Sequence, residues 1–376
     1  MTDLLYGDIE EELRRAVRSV LDDLAPWSQV LAGVEGDDPY DAKLWRTISA
    51  DLGCAGLAVP EELGGAGASF REAAVVLEEL GRAVAPVPFL GSAVVATAAL
   101  LEAGETELLA QLAAGRRTAA LAVPFSTPPG ASFAPTVRAE DVAPAGERPV
   151  AGEPGGNATL TGVVRSVADG LAADVLLVPA DGVLYAVDGA DVRRTAVTSL
   201  DMTRPLCDLV LASAPAWPVA TGHAARRALE AALTTGAALL ASEQLGLAER
   251  CLETTVAYVK TRYQFGRPIG SFQGLKHRLA DLWVSISQAR AVARYAAACA
   301  AEGDPDTAVA VAVAQAHCST VAVRAAEECV QLHGGIGFTW EHPAHLYLKR
   351  AKSTSIAFGT PDRHRAALAG LVDLPL

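Results

Sequence analysis

The chain has 376 residues, of which 51% are apolar and 20% charged, so it can form roughly two or three domains with cores of their own. Its 31 basic and 44 acidic residues give a net charge of −13, which argues against a nucleic-acid-binding protein. The amino terminus is acidic where a signal peptide would be basic, and no uninterrupted apolar stretch reaches the length of a membrane span. The six cysteines are scattered without a CxxC pair, as expected of free thiols in a reducing compartment. We therefore predict a cytoplasmic protein that binds neither nucleic acid nor membrane.

The first third of the chain has the periodicity of amphipathic helices. Apolar residues recur at helical spacing in four segments, 8–33, 40–53, 70–84 and 91–115, the last of which holds two short helices. The turn-rich connector AVPEELGGAGAS separates the second segment from the third. We predict an N-terminal helical domain over residues 1–116.

The composition changes near residue 117, where short runs rich in Val, Thr, Pro and Gly replace the helical pattern. Such runs, bounded by turn residues, predict β-strands. The tripeptide ADG at 180–182 lies between two apolar runs and predicts a β-hairpin. The proline- and glycine-rich stretch 127–157 predicts a surface loop or a weakly ordered edge. We predict a middle antiparallel β domain over residues 117–220.

Helical periodicity returns from residue 221 to the end of the chain. Segments 222–264 and 272–302 predict long helices, and a third helix ends near residue 332. Long helices joined by short connections predict an up-down four-helix bundle over residues 221–376. The predicted fold class is therefore α+β multidomain, in the order helical domain, β domain, bundle. Without sustained βαβ alternation or a GxGxxG turn, a Rossmann dinucleotide site is disfavoured.

The stretch RYQFGRPIGSFQGLKHRLAD (262–281) connects the first two bundle helices and concentrates hydrogen-bond donors. Arg262 and Arg267 offer planar forks that match phosphate oxygens. Gln264 and Gln273 add amide groups, and Phe265 adds a flat apolar wall. Taken alone, the stretch also fits an ordinary polar turn between bundle helices.

The stretch QLHGGIGF (331–338) follows an alanine-rich helical run and places three glycines in four positions. A cluster such as Gly334, Gly335 and Gly337 ends a helix. Because glycine has no Cβ atom, the cluster also lets an anionic ligand approach the backbone N–H groups. Two such segments in one bundle favour a dinucleotide-like ligand over two unrelated turns.

These two segments, R-Y-Q-F-G-R-P-I-G-S-F-Q…L-A-D and Q-L-H-G-G-I-G-F, closely resemble the two most recognisable motifs of the acyl-CoA dehydrogenases. In the first domain VPEELGGAGAS and VVLEELGR are also similar to that family, as is the order of the domains. The resemblance implies an oxidoreductase of fatty-acid or steroid side-chain β-oxidation. Its substrate would be an acyl-CoA thioester, with FAD as hydride acceptor and electron-transfer flavoprotein as the onward acceptor. The resemblance assigns FAD binding, shared across a subunit boundary, to Arg262, Gln264, Phe265, Gln273, Gln331, Gly334, Gly335 and Thr360.

The catalytic base that the resemblance implies is missing from both of its usual positions. Abstraction of a weakly acidic α-proton needs a desolvated carboxylate of raised pKa. Most members of the family have it before a Gly-Thr pair near the C-terminus, where this chain has Phe358, and some have it on the first bundle helix, where this chain has Gly236. Neither residue can accept a proton. Glu243, about two helical turns from Gly236, is a weak candidate for a replacement base.

The β domain departs from the family pattern as well. The family carries a K-x-W-I-T segment whose tryptophan and threonine contact the flavin ring, and this chain has Ser166 and Ala168 at those positions. Because the base and the ring contacts are lost together, our hypothesis is that the chain resembles the non-catalytic subunit of heteromeric actinobacterial acyl-CoA dehydrogenases. A homologous partner subunit would then supply the base, the ring contacts and the acyl pocket. Small residues along 232–242 hint at room for a wide acyl group.

Other interpretations remain open at this point. The chain could be a self-sufficient homo-oligomer with a non-standard base, or a flavin-free structural partner in a heterotetramer. A flavin monooxygenase of the same architecture needs no carboxylate base, but such enzymes usually lack the first motif. His342 and His345 could suggest a metal pair, yet no acidic or cysteine ligands accompany them, and we predict no metal site.

Overall fold

A computed structural model of the chain describes residues 4–374 except 37, 39, 133–135 and 142–157. Much of the loop predicted over 127–157 therefore lies outside the described residues. The described part has the predicted class and order: helices, then a β-sheet, then a second set of helices.

The first domain is helical. Its helices are α1 (Asp8–Leu24), α2 (Trp27–Val34), α3 (Ala42–Arg46), α4 (Phe70–Ala83), α5 (Thr97–Ala103) and α6 (Thr106–Ala113). Helix α4 begins at a capping box in which Ser69 and Glu72 satisfy each other's backbone N–H groups. A π-helical turn, Phe89–Ala96, leads into α5 and is buried throughout.

In its described residues, the middle domain is one sheet of seven strands. They are β1 (Ala119–Leu121), β2 (Val137–Asp141), β3 (Ala158–Ala168), β4 (Val175–Ala180), β5 (Val183–Asp188), β6 (Arg193–Val197) and β7 (Leu206–Thr221). The order is β1-β4-β5-β7-β3-β2, with β6 also paired to β7, and every pairing is antiparallel except that of β1 with β4. The predicted hairpin is confirmed: Asp181 and Gly182, with φ of 46° and 79°, form the two-residue turn between β4 and β5.

The third domain is helical, as predicted, although its described residues form five helices where a four-helix bundle was predicted. Its helices are α7 (Gly222–Thr261), α8 (Gln273–Glu302), α9 (Thr307–His333), α10 (Ala344–Thr354) and α11 (Pro361–Leu371), and a short hairpin of β8 (Tyr263–Gln264) and β9 (Arg267–Pro268) follows α7. The helical segment Thr307–Phe338 contains an 18-residue window with a mean hydropathy of 1.3, so by length and composition alone it could cross a membrane. Most of it is buried, because α9 packs against α7 and α8 in the centre of the bundle.

Helices α4 and α7 pack at backbone contact and join the first domain to the bundle. A Cβ atom on Gly81 would collide with the carbonyl oxygen of Glu243, and one on Gly246 would collide with that of Glu78. Only glycine permits this approach. One large apolar core therefore runs from the first domain into the bundle, while the sheet has a second core of its own.

Candidate functional site

The first motif forms an exposed hairpin at the end of α7. The helix ends where the N–H of Arg262 donates to the carbonyl of Tyr258, at 2.9 Å. Phe265 and Gly266 make the turn of the hairpin with φ of 55° and 77°. The Phe265 side chain is 91% exposed. The four predicted cofactor residues of this motif all lie on the surface, namely Arg262, Gln264, Phe265 and Gln273.

The second motif ends α9 and exposes its backbone. Gly334 has φ of 62°, which ends the helix, and both Gly334 and Gly335 are exposed. A Cβ atom added to either glycine would meet nothing within 4 Å, so the space in front of this backbone is open. Gly337 is required by packing instead, because a Cβ atom there would lie 2.6 Å from the carbonyl oxygen of Val330. Gln331 is exposed one turn before the glycines.

The two motifs are neighbours on one surface. The ring of Tyr258, in the last turn of α7, lies 4.4 Å from the ring of His333, the last residue of α9. Large apolar side chains in and around the motifs are exposed, including Tyr263, Phe265, Trp283, Phe338 and Trp340. An arginine, three glutamine amides, open glycine backbone and aromatic walls form a donor set that suits a dinucleotide, and the apolar surface beside it suits a protein partner.

The two positions of the family's base meet in space. Phe358 is buried, with 4% exposure, and its ring lies against α7 at Gly236. A Cβ atom on Gly236 would lie 2.8 Å from Cζ of Phe358 and 2.8 Å from Cγ2 of Val95. The ring also packs edge-on against Phe125, with centroids 5.5 Å apart. An aromatic ring therefore fills the space in which a carboxylate at either position would have to act.

The cleft around Phe358 is closed by backbone hydrogen bonds. The N–H of Phe358 donates to the carbonyl of Phe125 at 2.8 Å, and the N–H of Phe125 donates to the carbonyl of Ser166 at 2.9 Å. A cavity of 30 Å³ remains, space for one or two water molecules. It is lined by Leu90, Gly91, Val95, Leu121, Val123, Phe125, Ala168, Asp169 and Phe358. Ala168 and Phe358, which both depart from the family pattern, thus line the same filled cleft.

The structure argues against Glu243 as a base. Its carboxylate is 1% exposed and accepts hydrogen bonds from Arg204 at 2.6 Å and Arg350 at 2.9 Å. Burial alone would raise its pKa, but the two guanidinium groups outweigh burial and lower the pKa of Glu243 to about 2. A carboxylate held in this way has little tendency to take a proton near neutral pH. Glu243 is part of a buried ionic network beneath the cleft.

Sequence reasoning missed the carboxyl group that does border the cleft. Asp169 is buried at the end of β3, with φ of 57°, and its Oδ2 accepts the N–H of Gly91 at 3.0 Å. Burial raises the pKa of Asp169, while Arg204 acts in the opposite direction. The sequence marks it only as a turn residue before Gly170, and its burial depends on the distant π-helical turn that packs over it.

The remaining residues singled out in the sequence are Thr360, predicted to bind FAD, and the two histidines His342 and His345. Thr360 is exposed, and its hydroxyl oxygen accepts the N–H of Arg363 to cap α11. His342 stacks on His333 at 4.1 Å, and His345 packs edge-on against Trp340 at 4.7 Å. Within the described ranges, no three His, Cys, Asp or Glu side chains are grouped as metal ligands.

The small residues over 232–242 do not open an acyl pocket in this structure. Most of this part of α7 is buried against α4, α5 and the π-helical turn, and Phe358 occupies the space beside Gly236. A larger cavity, of about 730 Å³, lies between α2 and the β6–β7 connection and includes none of the predicted site residues. The hint of room for a wide acyl group is therefore wrong for the cleft of this chain.

The chain is similar to known proteins in both sequence and fold. The family profile described as acyl-CoA dehydrogenase, N-terminal domain, matches residues 8–115, and that of the C-terminal domain matches residues 225–371. The acyl-CoA dehydrogenase IpdE2 of Mycobacterium tuberculosis is 39% identical over 93% of this chain and 92% of its own length. Two solved structures superpose with TM-scores of 0.83. A variant of the Tcur3481–Tcur3483 steroid ACAD is 31% identical over 98% of both chains, and the ChsE4–ChsE5 complex of M. tuberculosis is 28% identical over all of both chains.

Proposed function

Because the chain belongs to the acyl-CoA dehydrogenase family, we propose that it is the non-catalytic, cofactor-holding subunit of a heteromeric acyl-CoA dehydrogenase. FAD is the cofactor of the family and, when bound, accepts the hydride from the acyl β-carbon. In this proposal the present chain contributes the dinucleotide half-site. A homologous partner subunit contributes the base, the contacts to the flavin ring and the acyl pocket.

The filled cleft around Phe358 is the observation that carries this proposal. Removal of an α-proton requires a carboxylate at the reacting carbon, and here both family positions, Phe358 and Gly236, lack one. An acyl chain and a flavin ring also need a pocket of several hundred Å³, on the scale of about 300–1,000 Å³ for ligand sites. The cleft of this chain retains 30 Å³. It therefore lacks both the base and the volume for the reaction.

The exposed motif surface supports the other half of the proposal. The Arg262 guanidinium is exposed and can form charge-assisted bonds with phosphate oxygens, and Gln264 and Gln273 add exposed amides from the same motif. Phe265 offers a wall for a ring, and the open backbone at Gly334 and Gly335 admits a ligand. These residues would bind and orient the ADP part of FAD, without taking part in proton or hydride transfer.

The partner is proposed to be a homologous chain. The exposed aromatic side chains around the motifs form an apolar surface of the kind that marks a protein interface. Two of the similar structures are each described by a pair of protein names, Tcur3481–Tcur3483 and ChsE4–ChsE5. We further propose a cytoplasmic heterotetramer that acts on a bulky, ring-bearing acyl-CoA and passes electrons to electron-transfer flavoprotein.

A self-sufficient enzyme is the second candidate function, and Asp169 favours it. Asp169 is the carboxyl group beside the residual cavity, and its pKa is raised by burial, as a general base requires. Its use would require Phe358 to leave the cleft. If this candidate holds, Asp169→Asn abolishes turnover by the purified chain while its flavin stays bound; unchanged turnover eliminates Asp169.

The deciding experiment measures flavin per chain, for this protein alone and for the complex co-purified with a homologous partner. We expect one half flavin per chain in the mixed complex, little in the single chain, and acyl-CoA oxidation only by the complex. A single chain that holds one flavin and oxidises acyl-CoA as fast as the complex would refute the proposal. A colourless complex with added FAD would favour a purely structural subunit.

A further inference from the structure

Three segments of the bundle meet at the side chain of His333. Its ring lies between two others, that of Tyr258 at 4.4 Å and that of His342 at 4.1 Å, with interplanar angles of 31° and 35°. Tyr258 belongs to the last turn of α7, and its carbonyl accepts the N–H of Arg262, where the first motif begins. His333 itself directly precedes Gly334, where the second motif exposes its backbone.

Contacts between Nδ1 and Cys329, one turn earlier in α9, fix the orientation of the His333 ring. Nδ1 lies 2.6 Å from the carbonyl oxygen of Cys329 and 3.7 Å from its Sγ. Since a carbonyl oxygen only accepts, Nδ1 carries the hydrogen, and Nε2 holds the lone pair in the neutral ring. Nε2 is buried without a hydrogen-bond partner in the part of the chain that the structure describes. The ring is therefore held at Nδ1 by Cys329 and on its faces by two ring contacts, so the loss of either ring contact should change its position.

We propose that the His333 ring is a positioning residue that keeps the two motifs of the dinucleotide half-site in register. It does not line the open surface, so it acts through its neighbours: Tyr258 sets the start of the Arg262 hairpin, and the His333 backbone sets the start of Gly334–Gly335. A ligand that bridges both motifs binds tightly only if their separation is fixed beforehand. This inference rests on the proposed function, since it names the residue that organises the same half-site.

Two substitutions separate the contributions of the His333 ring. His333→Phe keeps an aromatic ring between Tyr258 and His342 but removes the Nδ1–H donor. His333→Asn keeps a donor close to the position of Nδ1 but removes the ring, and His333→Ala removes both. The control is His317→Ala, a partly buried histidine on the same helix whose ring contacts Ser285 instead of the motifs. All variants are studied in the co-purified heteromeric complex, with helical content and assembly checked first.

The readouts are the FAD dissociation constant of the complex and kcat at saturating FAD. We expect His333→Asn and His333→Ala to weaken FAD binding at least tenfold, with kcat at saturating FAD and the KM for acyl-CoA within about twofold of the unmodified complex. His333→Phe should stay within about threefold in FAD affinity, and His317→Ala should be unchanged. The double variant Tyr258→Leu/His333→Ala should bind FAD as tightly as whichever single variant binds it less tightly. The two substitutions break the same contact, so their losses should not add.

Several outcomes would overturn the inference. FAD affinity within twofold for both His333→Asn and His333→Ala would remove the positioning role, as would additive losses in the double variant. A kcat that stays low at saturating FAD would indicate general damage rather than positioning. If His333→Ala does not fold, the comparison of phenylalanine with asparagine still decides the matter. An unmodified complex without flavin would instead refute the proposed function itself.

Discussion

The cleft around Phe358 and the surface around Arg262 and Gly334 belong to one fold and have opposite characters. In the cleft, ring packing and backbone hydrogen bonds leave only 30 Å³. On the surface, Phe265 is 91% and Phe338 76% exposed. A single-chain enzyme would need both regions open. The difference fits the proposed function, in which the reacting end of the site is packed as core and the nucleotide-binding end is exposed for assembly.

The physical basis of this contrast is that the aromatic rings of the cleft are buried, while those of the surface are exposed to solvent. A buried phenylalanine stabilises the folded chain by about 1.5–3 kcal/mol relative to an exposed one. Filling an unused cleft is therefore favourable for stability. Exposed aromatic side chains make no such contribution, and large exposed apolar patches mark interaction sites. The predictions below test each side of the comparison, beginning with the largest expected effect.

The largest effect is expected beneath the cleft, for Glu243→Gln. The substitution leaves Arg204 buried without its carboxylate and leaves Arg350 with Asp201 alone, at 2.8 Å, which costs about 3–5 kcal/mol of unfolding free energy. Because the pKa of Glu243 is lowered from 4.5 to about 2, its contribution is complete above pH 4.5 and is lost as the pH falls towards 2. The stability difference between the two proteins, measured by denaturant unfolding, should therefore shrink over that interval.

The matched control is Glu327→Gln, which removes an exposed ion pair with Lys352 and should change stability by less than about 1 kcal/mol. Equal stability of Glu243→Gln and the unmodified chain would contradict the buried network. Loss of turnover at unchanged stability would return Glu243 to the list of candidate bases.

The next effect concerns the ring that fills the cleft. Phe358→Ala should lower the unfolding free energy by about 3 kcal/mol or more, because it leaves a cavity between Gly236 and Phe125. Phe338→Ala, on the exposed surface, removes the same ring and should stay within about 0.5 kcal/mol. Urea unfolding of the isolated chain measures both. Similar losses for the two variants would mean that cleft and surface do not differ as described.

The sequence was sufficient for everything that depends on local chemistry. Helical periodicity, the ADG turn and the two motifs identified the fold. The absence of a carboxylate at positions 358 and 236 follows directly from the residue types, Phe358 and Gly236. These features depend on neighbouring residues or on a short pattern. For the same reason the motif residues could be named before their exposure was known.

The rest depended on tertiary contacts that no local pattern encodes. The contact of Phe358 with Gly236 joins the α10–α11 connection to α7, and the filled cleft follows from it. Glu243 could be proposed as a base only while its two arginine partners, distant in sequence, were unknown. Asp169 went unnoticed because its burial comes from Gly91 on another domain. The parallel pairing of β1 with β4 was likewise hidden, since strand patterns do not state direction.

A smaller effect, on binding alone, is expected at the exposed motif. Arg262→Ala in the mixed complex should raise the FAD dissociation constant about 10–100-fold, since a hydrogen bond to a charged group contributes about 1.5–3 kcal/mol. The unfolding free energy of the isolated chain should change by less than about 0.5 kcal/mol, because the side chain is exposed. Arg226→Ala, an exposed arginine at the other end of α7, is the control and should leave both quantities unchanged. Undiminished FAD binding by Arg262→Ala would remove this surface from the cofactor site.

The smallest effect, and the most specific to the cleft, is expected for Gly236→Ala. The sign of its effect on the unfolding free energy should depend on whether Phe358 is present. In a helix alanine is favoured over glycine by about 1 kcal/mol, but a methyl group here meets Phe358 and Val95 at 2.8 Å, which costs about 1–3 kcal/mol. Gly236→Ala should therefore be neutral or destabilising in the unmodified chain. In a Phe358→Ala background the main obstacle is gone, and the same substitution should stabilise by up to about 1 kcal/mol, with Val95 limiting the gain. Gly370→Ala, where an added Cβ meets nothing within 4 Å, should act equally in both backgrounds. An identical effect of Gly236→Ala in both backgrounds, by urea unfolding, would show that these two residues do not share one space, and the filled cleft would lose its basis.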